Sequence, residues 1–152
     1  MNKNWKLTIS LILPFVASAI GGLFTAGSVS NWYVDLVKPS FNPPNWIFGP
    51  VWTLLYILMG ISLYLVWVKK FDKNAFTVFG VQLFLNMLWS ILFFGLQKPF
   101  YAFIEILFLW IFILVTIIYF YRINKKSAYL LIPYILWVSF AAILNFAIFV
   151  LN

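Results

Sequence analysis

Apolar residues run along this chain in five long blocks, separated by short polar punctuation. The blocks are Trp5–Ala26, Pro44–Val68, Ala75–Leu96, Phe100–Tyr121 and Tyr129–Leu151. Each has about the 20 residues that an α-helix needs to cross a bilayer. None alternates polar and apolar residues as the strands of a membrane barrel would. Lipid offers the backbone no partner, so each block must satisfy its own amides as a helix. The pattern predicts an all-α membrane protein: one domain over residues 1–152, folded as a five-transmembrane-helix bundle. The longest connection, residues 27–43, is predicted to be an outward-facing lid, because long loops in compact folds often cover binding sites.

Polar and flat residues interrupt the blocks at helical spacing. In the third, Gln82, Asn86, Trp89 and Phe93 fall on one stripe; in the fifth, Tyr134, Trp137, Ala141 and Asn145 do the same. In the second, Trp52, Tyr56 and Met59 share a face. In the first, the small residues Ser18, Gly22 and Ala26 recur every fourth position, as helix packing or a flat floor under a ligand would require. Amides are costly against lipid tails, so these stripes should face the bundle interior. Three walls of aromatic rings with a few amides suit a large, flat, mostly apolar ligand. Interhelical hydrogen bonding alone, or rings that merely face lipid, is the plainer reading. The segment Asn31–Tyr56 concentrates the signal, with three Trp, two Tyr, two Phe and four Pro. Pro39, Pro43 and Pro44 stiffen the lid. Gly49-Pro50 should kink or loosen the second helix one turn in. Asp35 and Lys38 could pair if their segment turns helically. Glu105, the sole acid within a span, should hydrogen-bond or reach the interface.

Composition agrees with lipid as the solvent: 65% of residues are hydrophobic and 9% charged. The net charge of +7 is split into short clusters at helix ends, which argues against a nucleic-acid surface. Lys3, Lys6, Lys69, Lys70, Lys73, Arg122, Lys125 and Lys126 share one side of a five-span topology, against Lys38 and Lys98 on the other. The positive-inside rule then puts the N-terminus in the cytoplasm and the C-terminus outside. Ala17-Ser18-Ala19 resembles a signal-peptide cleavage site, but the apolar run continues to Ala26 as an uncleaved span should. Cys and His are both absent. That removes thiol nucleophiles, Ser–His–Asp chemistry and the usual zinc ligands. No metal site or required cofactor is expected.

The motifs Trp32-Tyr33, Lys38-Pro39, Pro43-Pro44, Gly49-Pro50-Val51-Trp52, Leu55-Tyr56 and Tyr64-Leu65-Val66-Trp67 resemble the TspO/MBR family of tryptophan-rich sensory and translocator proteins. So do Gln82-Leu83, Leu85-Asn86, Trp89, Phe93-Phe94-Gly95, Pro133-Tyr134, Leu136-Trp137, Phe140-Ala141 and Leu144-Asn145. The first and fourth helices match only in length and character. The resemblance implies a bacterial-type member in the cytoplasmic membrane, with a lid-capped pocket that binds porphyrins such as protoporphyrin IX, or haem. It implies a sensor or scavenger, with light-dependent degradation of protoporphyrin IX in some members. Trp52 and Trp137 match the tryptophans implicated in that chemistry. Gly22, Ala26, Tyr33, Pro43, Asn86, Trp89, Phe93 and Ala141 match further ligand-binding positions. Transport of porphyrin or sterol is the alternative reading, although the sterol consensus late in the fifth helix is missing around Leu144-Asn145-Phe146. A homodimer is left open; the third helix, with Ala75, Gly80 and Gly95, has no small-xxx-small pair to build one.

Overall fold

The polar punctuation of the sequence becomes helix caps. The Asn2 side chain accepts from the Trp5 N–H at 3.0 Å, Asp72 from Ala75 at 2.9 Å, and Asn124 from Lys126 at 3.1 Å. Each satisfies an amide that has no partner within its own helix. Pro99 and Pro133 stand in the first turns of their helices, where a missing N–H costs nothing. The computed structural model describes residues 1–152 and has five helices long and apolar enough to cross a membrane. They are α1 (Lys3–Val29), α2 (Asn45–Lys69), α3 (Lys73–Gly95), α4 (Pro99–Ile123) and α5 (Lys125–Leu151). The chain is an integral membrane protein.

The helices form a ring. α1 packs on α2 and α3, α3 on α4, and α4 on α5. The ring closes where the first segment of α5, Lys125–Leu130, meets α2. After a break at Leu131 the long segment Ile132–Leu151 scarcely approaches α2. The buried Ser62 and Ser127 hydroxyls lie 2.9 Å apart at the closed end, and each also reaches the other residue's carbonyl. The helices are therefore drawn together at the lysine-rich end and spread at the other.

The α1–α2 contact shows how the sequence sets the approach. Pro14 has no N–H, so the Ser10 carbonyl lacks its helical donor. Gly60 of α2 faces that turn: a Cβ on it would lie 2.9 Å from the Ser10 oxygen and 2.9 Å from the Leu11 Cα. Only a glycine lets the two backbones come this close.

Several expected boundaries shift. Four of the five spans are longer than their apolar blocks, because helices continue into the polar caps, and the second, Asn45–Lys69, is shifted by one residue. The lid shrinks accordingly to residues 30–44 and contains a short helix, Trp32–Asp35. Gly49-Pro50 does not interrupt the helix, which runs unbroken from Phe48 to Lys69. Pro50 falls within its first turn, and the looser piece is the 3₁₀ turn Asn45–Ile47 before it. The sharper irregularity is one that the apolar pattern does not announce. Residues Ile91–Gly95 form a π turn, with the Leu96 N–H donating to the Ile91 carbonyl at 2.8 Å. Gln97 then ends the helix at φ 56°, a left-handed position where Gly or Asn is usual.

Gly60→Ala should lower stability by about 1–3 kcal/mol, the cost of overpacking. Gly80→Ala should not, since a Cβ there meets nothing within 4 Å. Thermal unfolding of both variants in one detergent checks the difference; equal midpoints would refute the close α1–α2 approach.

Candidate functional site

Where α2 and α5 stand apart, aromatic rings span the gap. Phe48 meets Trp137 edge-on with ring centroids 5.9 Å apart, and Trp52 meets Tyr134 at 6.4 Å. Trp52 also stacks on Tyr56 at 5.7 Å, one helical turn along α2. Behind these rings lies a cavity of about 360 Å³, within the usual range for small-molecule sites. Its α3 wall carries Asn86, Trp89, Phe93 and Phe94; its α5 wall carries Trp137, Ala141 and Asn145. The π turn matters here, because the extra residue per turn brings both Phe93 and Phe94 to the wall. Such turns often occur at functional sites.

The polar groups of the walls mostly satisfy one another. The Tyr56 hydroxyl donates to Asn86 Oδ1 at 2.7 Å, Asn86 Nδ2 donates to the Tyr134 hydroxyl at 2.8 Å, and Tyr134 donates to Gln82 Oε1 at 2.8 Å. This ladder joins α2, α3 and α5 at one end of the cavity. Trp89 Nε1 donates to Asn145 Oδ1 at 2.9 Å, and Asn145 Nδ2 to the Pro99 carbonyl at 2.8 Å. Trp137 is the exception. Its indole Nε1–H is buried with no partner, yet its ring lines the cavity. A buried donor left unpaired costs roughly 1–3 kcal/mol, so an acceptor on a ligand would be favoured there.

The lid closes the spread end. Tyr33 points inward, with its ring 5.6 Å from Phe94, and its hydroxyl donates to Asn42 Oδ1 at 3.2 Å. Burial pushes the Tyr33 phenol above its usual pKa, and the bond to Asn42 works against that shift. The phenol is therefore neutral at physiological pH and remains a donor. Phe41 rests on Phe140 at 6.4 Å. The Asn152 side chain holds Val37 at both ends: it accepts from the Val37 N–H at 2.9 Å and donates to its carbonyl at 2.9 Å. Lys38 does not pair with Asp35. Its Nζ donates to the Leu36 carbonyl at 3.1 Å and lies 4.7 Å from the centre of the Tyr33 ring.

Comparison with known proteins bears on what such a cavity is. The family model described as the TspO/MBR family matches residues 10–151. A "Tryptophan-rich protein TspO" of Archaeoglobus fulgidus is 48% identical over 149 residues, 97% of each chain. The chain belongs to the TspO/MBR family. Other members similar to it are a "Translocator protein" of Homo sapiens and a "Tryptophan-rich sensory protein" of Cereibacter sphaeroides. Each is 34% identical; they cover 97% and 100% of this chain, and 91% and 95% of their own length.

Among the positions singled out in this TspO/MBR chain, Gly22, Tyr33, Trp52, Asn86, Trp89, Phe93, Trp137 and Ala141 all line the cavity. Ala26 and Pro43 do not. Steps of four residues drift by about 40° each around a helix. The α1 stripe therefore continues from Gly22 through Thr25 and Val29, and Ala26 is exposed on the bundle's outside. Pro43 is half-buried in the lid, where its carbonyl accepts from Asn42 Nδ2. Glu105 neither hydrogen-bonds nor reaches the interface: both carboxyl oxygens are buried without a partner. Sequence reasoning did not single out several other lining residues, among them Thr25 and Val29 on α1, Thr53 on α2, Ser90 on α3, Ile106 and Leu109 on α4, and Ile148 on α5.

Asn152→Ala should free Val37 and speed amide exchange across residues 30–44, leaving the bundle's protected amides unchanged. Hydrogen–deuterium exchange reads both regions; an unchanged lid would mean that the aromatic contacts alone hold it.

Proposed function

We propose that this protein binds a tetrapyrrole, protoporphyrin IX or haem, in the aromatic cavity as a sensor or scavenger, and that it degrades protoporphyrin IX in light. The observation that carries the reading is the pairing of Trp52 and Trp137. They come from helices whose backbones separate at this level, they border one cavity, and one of them holds an unpaired N–H beside it. Flat indole and phenol rings suit a conjugated macrocycle. The donor set fits the ligand: an unpaired indole N–H seeks an acceptor such as a ring nitrogen or a carboxylate. The Asn86 oxygen and one of its N–H groups are already used by Tyr56 and Tyr134. Recognition of the ligand's polar edge therefore falls first to Trp137; the Tyr33 hydroxyl at the lid, whose one O–H goes to Asn42, is left to accept.

In light, the bound macrocycle and dioxygen supply the oxidising chemistry. The protein's part is to hold the ring against the Trp52 and Trp137 indoles, which can donate electrons, and to keep water out. Titrating protoporphyrin IX into purified protein in detergent should quench tryptophan fluorescence and shift the porphyrin band. Trp137→Phe keeps a ring and loses the donor, so affinity should fall about two- to tenfold, the worth of one net hydrogen bond. Under illumination the Trp52→Phe/Trp137→Phe variant should bind yet degrade the porphyrin more slowly. An unchanged rate and product would remove the role assigned to these indoles.

Transport is the second reading. It draws on the relative named "Translocator protein" and on a thin place in the wall: Gly22 and Gly49 both line the cavity, and a Cβ on either meets nothing within 4 Å. Protein-dependent uptake of porphyrin into proteoliposomes would favour it over the sensor reading.

We also propose that the protein sits in a bacterial cytoplasmic membrane with its N-terminus in the cytoplasm and the lid outside. The support is the eight cations at one end of the bundle against Lys38 and Lys98 at the other. Because the chain has no Cys, single variants report topology cleanly. In intact cells Ser40→Cys should react with an impermeant maleimide and Lys3→Cys should not; the reverse pattern would invert the assignment.

A further inference from the structure

A second cavity, of about 550 Å³, lies at the opposite end of the bundle from the lid, lined by Lys69, Lys70, Asp72, Tyr119, Arg122 and Ile123. It sits where α2 and α4 end and α3 begins, so three helices meet around it. The α4 end is tied to α2 by Asn124, whose Nδ2 donates to the Leu65 carbonyl at 3.5 Å. Three cations share the space with one carboxylate. Asp72 Oδ1 also accepts from the Ala75 N–H to cap α3, and its single negative charge leaves the three cations in excess.

Two other cations at this end are engaged with the protein, while Lys3, Lys73 and Lys126 have no side-chain partner but do not line the cavity. Lys6 donates to the Trp67 carbonyl at 3.2 Å, and Lys125 lies 5.5 Å from the centre of the Tyr121 ring. The side chains of Lys69, Lys70 and Arg122 have no such partner and face a shared cavity. Two helix C-termini and one N-terminus also end there, each worth about half a charge. Their sum is roughly half a negative charge, too little to offset the cations. The position is at helix ends, hence at headgroup depth, and the neighbouring Phe71 is 62% exposed, as an interfacial aromatic would be.

We propose that this cavity holds the phosphate headgroup of an anionic glycerophospholipid. Lys69, Lys70 and Arg122 contact the phosphate, the Tyr119 hydroxyl is a further donor, and Ile123 lies against the start of the acyl chains. Basic pockets between spanning helices on the cytoplasmic side are suited to such headgroups.

The full chain, purified and examined by native mass spectrometry with phosphatidylglycerol and phosphatidylcholine at equal concentration, tests this. The wild type should retain phosphatidylglycerol in preference. Each cation removed should cost about fivefold in that preference, so the Lys69→Gln/Lys70→Gln/Arg122→Gln variant should lose it. The Lys3→Gln/Lys125→Gln/Lys126→Gln variant, equal in charge change and at the same end, should keep it. Circular dichroism establishes that both variants fold. Equal loss in the two variants would mean diffuse surface attraction and overturn the site, as would a wild type with no preference. Displacement of the lipid by millimolar inorganic phosphate would reassign the cavity to a soluble anion and overturn the lipid reading.

Discussion

In a medium without water, a phenol or amide that points into a helix bundle must find its partner on another helix. That constraint organises this protein. Tyr56, Asn86, Tyr134 and Gln82 form one ladder across three helices. Each bond is worth little by itself, about 1 kcal/mol net. Breaking one leaves a buried group unpaired, which costs more. The ladder therefore fixes the relative rotation of α2, α3 and α5. Once those rotations are set, Trp52, Trp89 and Trp137 have no choice but to face the same space.

The cavity exists because the ring of helices closes at one end and not at the other. Gly60 and the freed Ser10 carbonyl bring α1 and α2 together, and the Ser62–Ser127 contact brings α2 and α5 together, toward the lysine-rich end. At the lid end large rings stand between the backbones. An aromatic pair with centroids about 5–6 Å apart keeps helices further apart than Gly or Ser would. Small residues at one end and large ones at the other make a wedge-shaped opening, and the lid seals it through Tyr33, Phe41 and the Asn152–Val37 bonds.

Much of this was legible beforehand. The five apolar blocks marked the spans to within a few residues. The stripes in α2, α3 and α5 named residues that face the interior, because helical spacing alone decides which positions share a side. What escaped has physical causes. Ala26 was extrapolated at constant four-residue spacing, which drifts off the face. Pro43 was named by family resemblance and not by spacing, and it belongs to the lid. Gly49-Pro50 read as a kink, but its place in the first turn made the missing N–H harmless. The π turn has no apolar signature, since it alters hydrogen bonding without altering hydrophobicity. Asp35 and Lys38 were near in sequence, yet Lys38 found backbone carbonyls and the Tyr33 ring instead.

By itself the sequence determined the solvent, the number of helices, the cation asymmetry and the membership of interior faces. These follow from composition and period, and neither depends on distant contacts. Tertiary structure decided which interior groups were already spent on one another. Asn86, a ligand-binding position by resemblance, and Asn145, on an interior stripe, are both committed to neighbours by the fold, and among the cavity-lining residues the Trp137 N–H is left as the buried unpaired donor. The fold also decided that Arg122, far along the chain from the adjacent Lys69 and Lys70, shares one cavity with them. Hydrogen-bond saturation and charge proximity are properties of pairs, and pairs from different helices meet only once the bundle has packed.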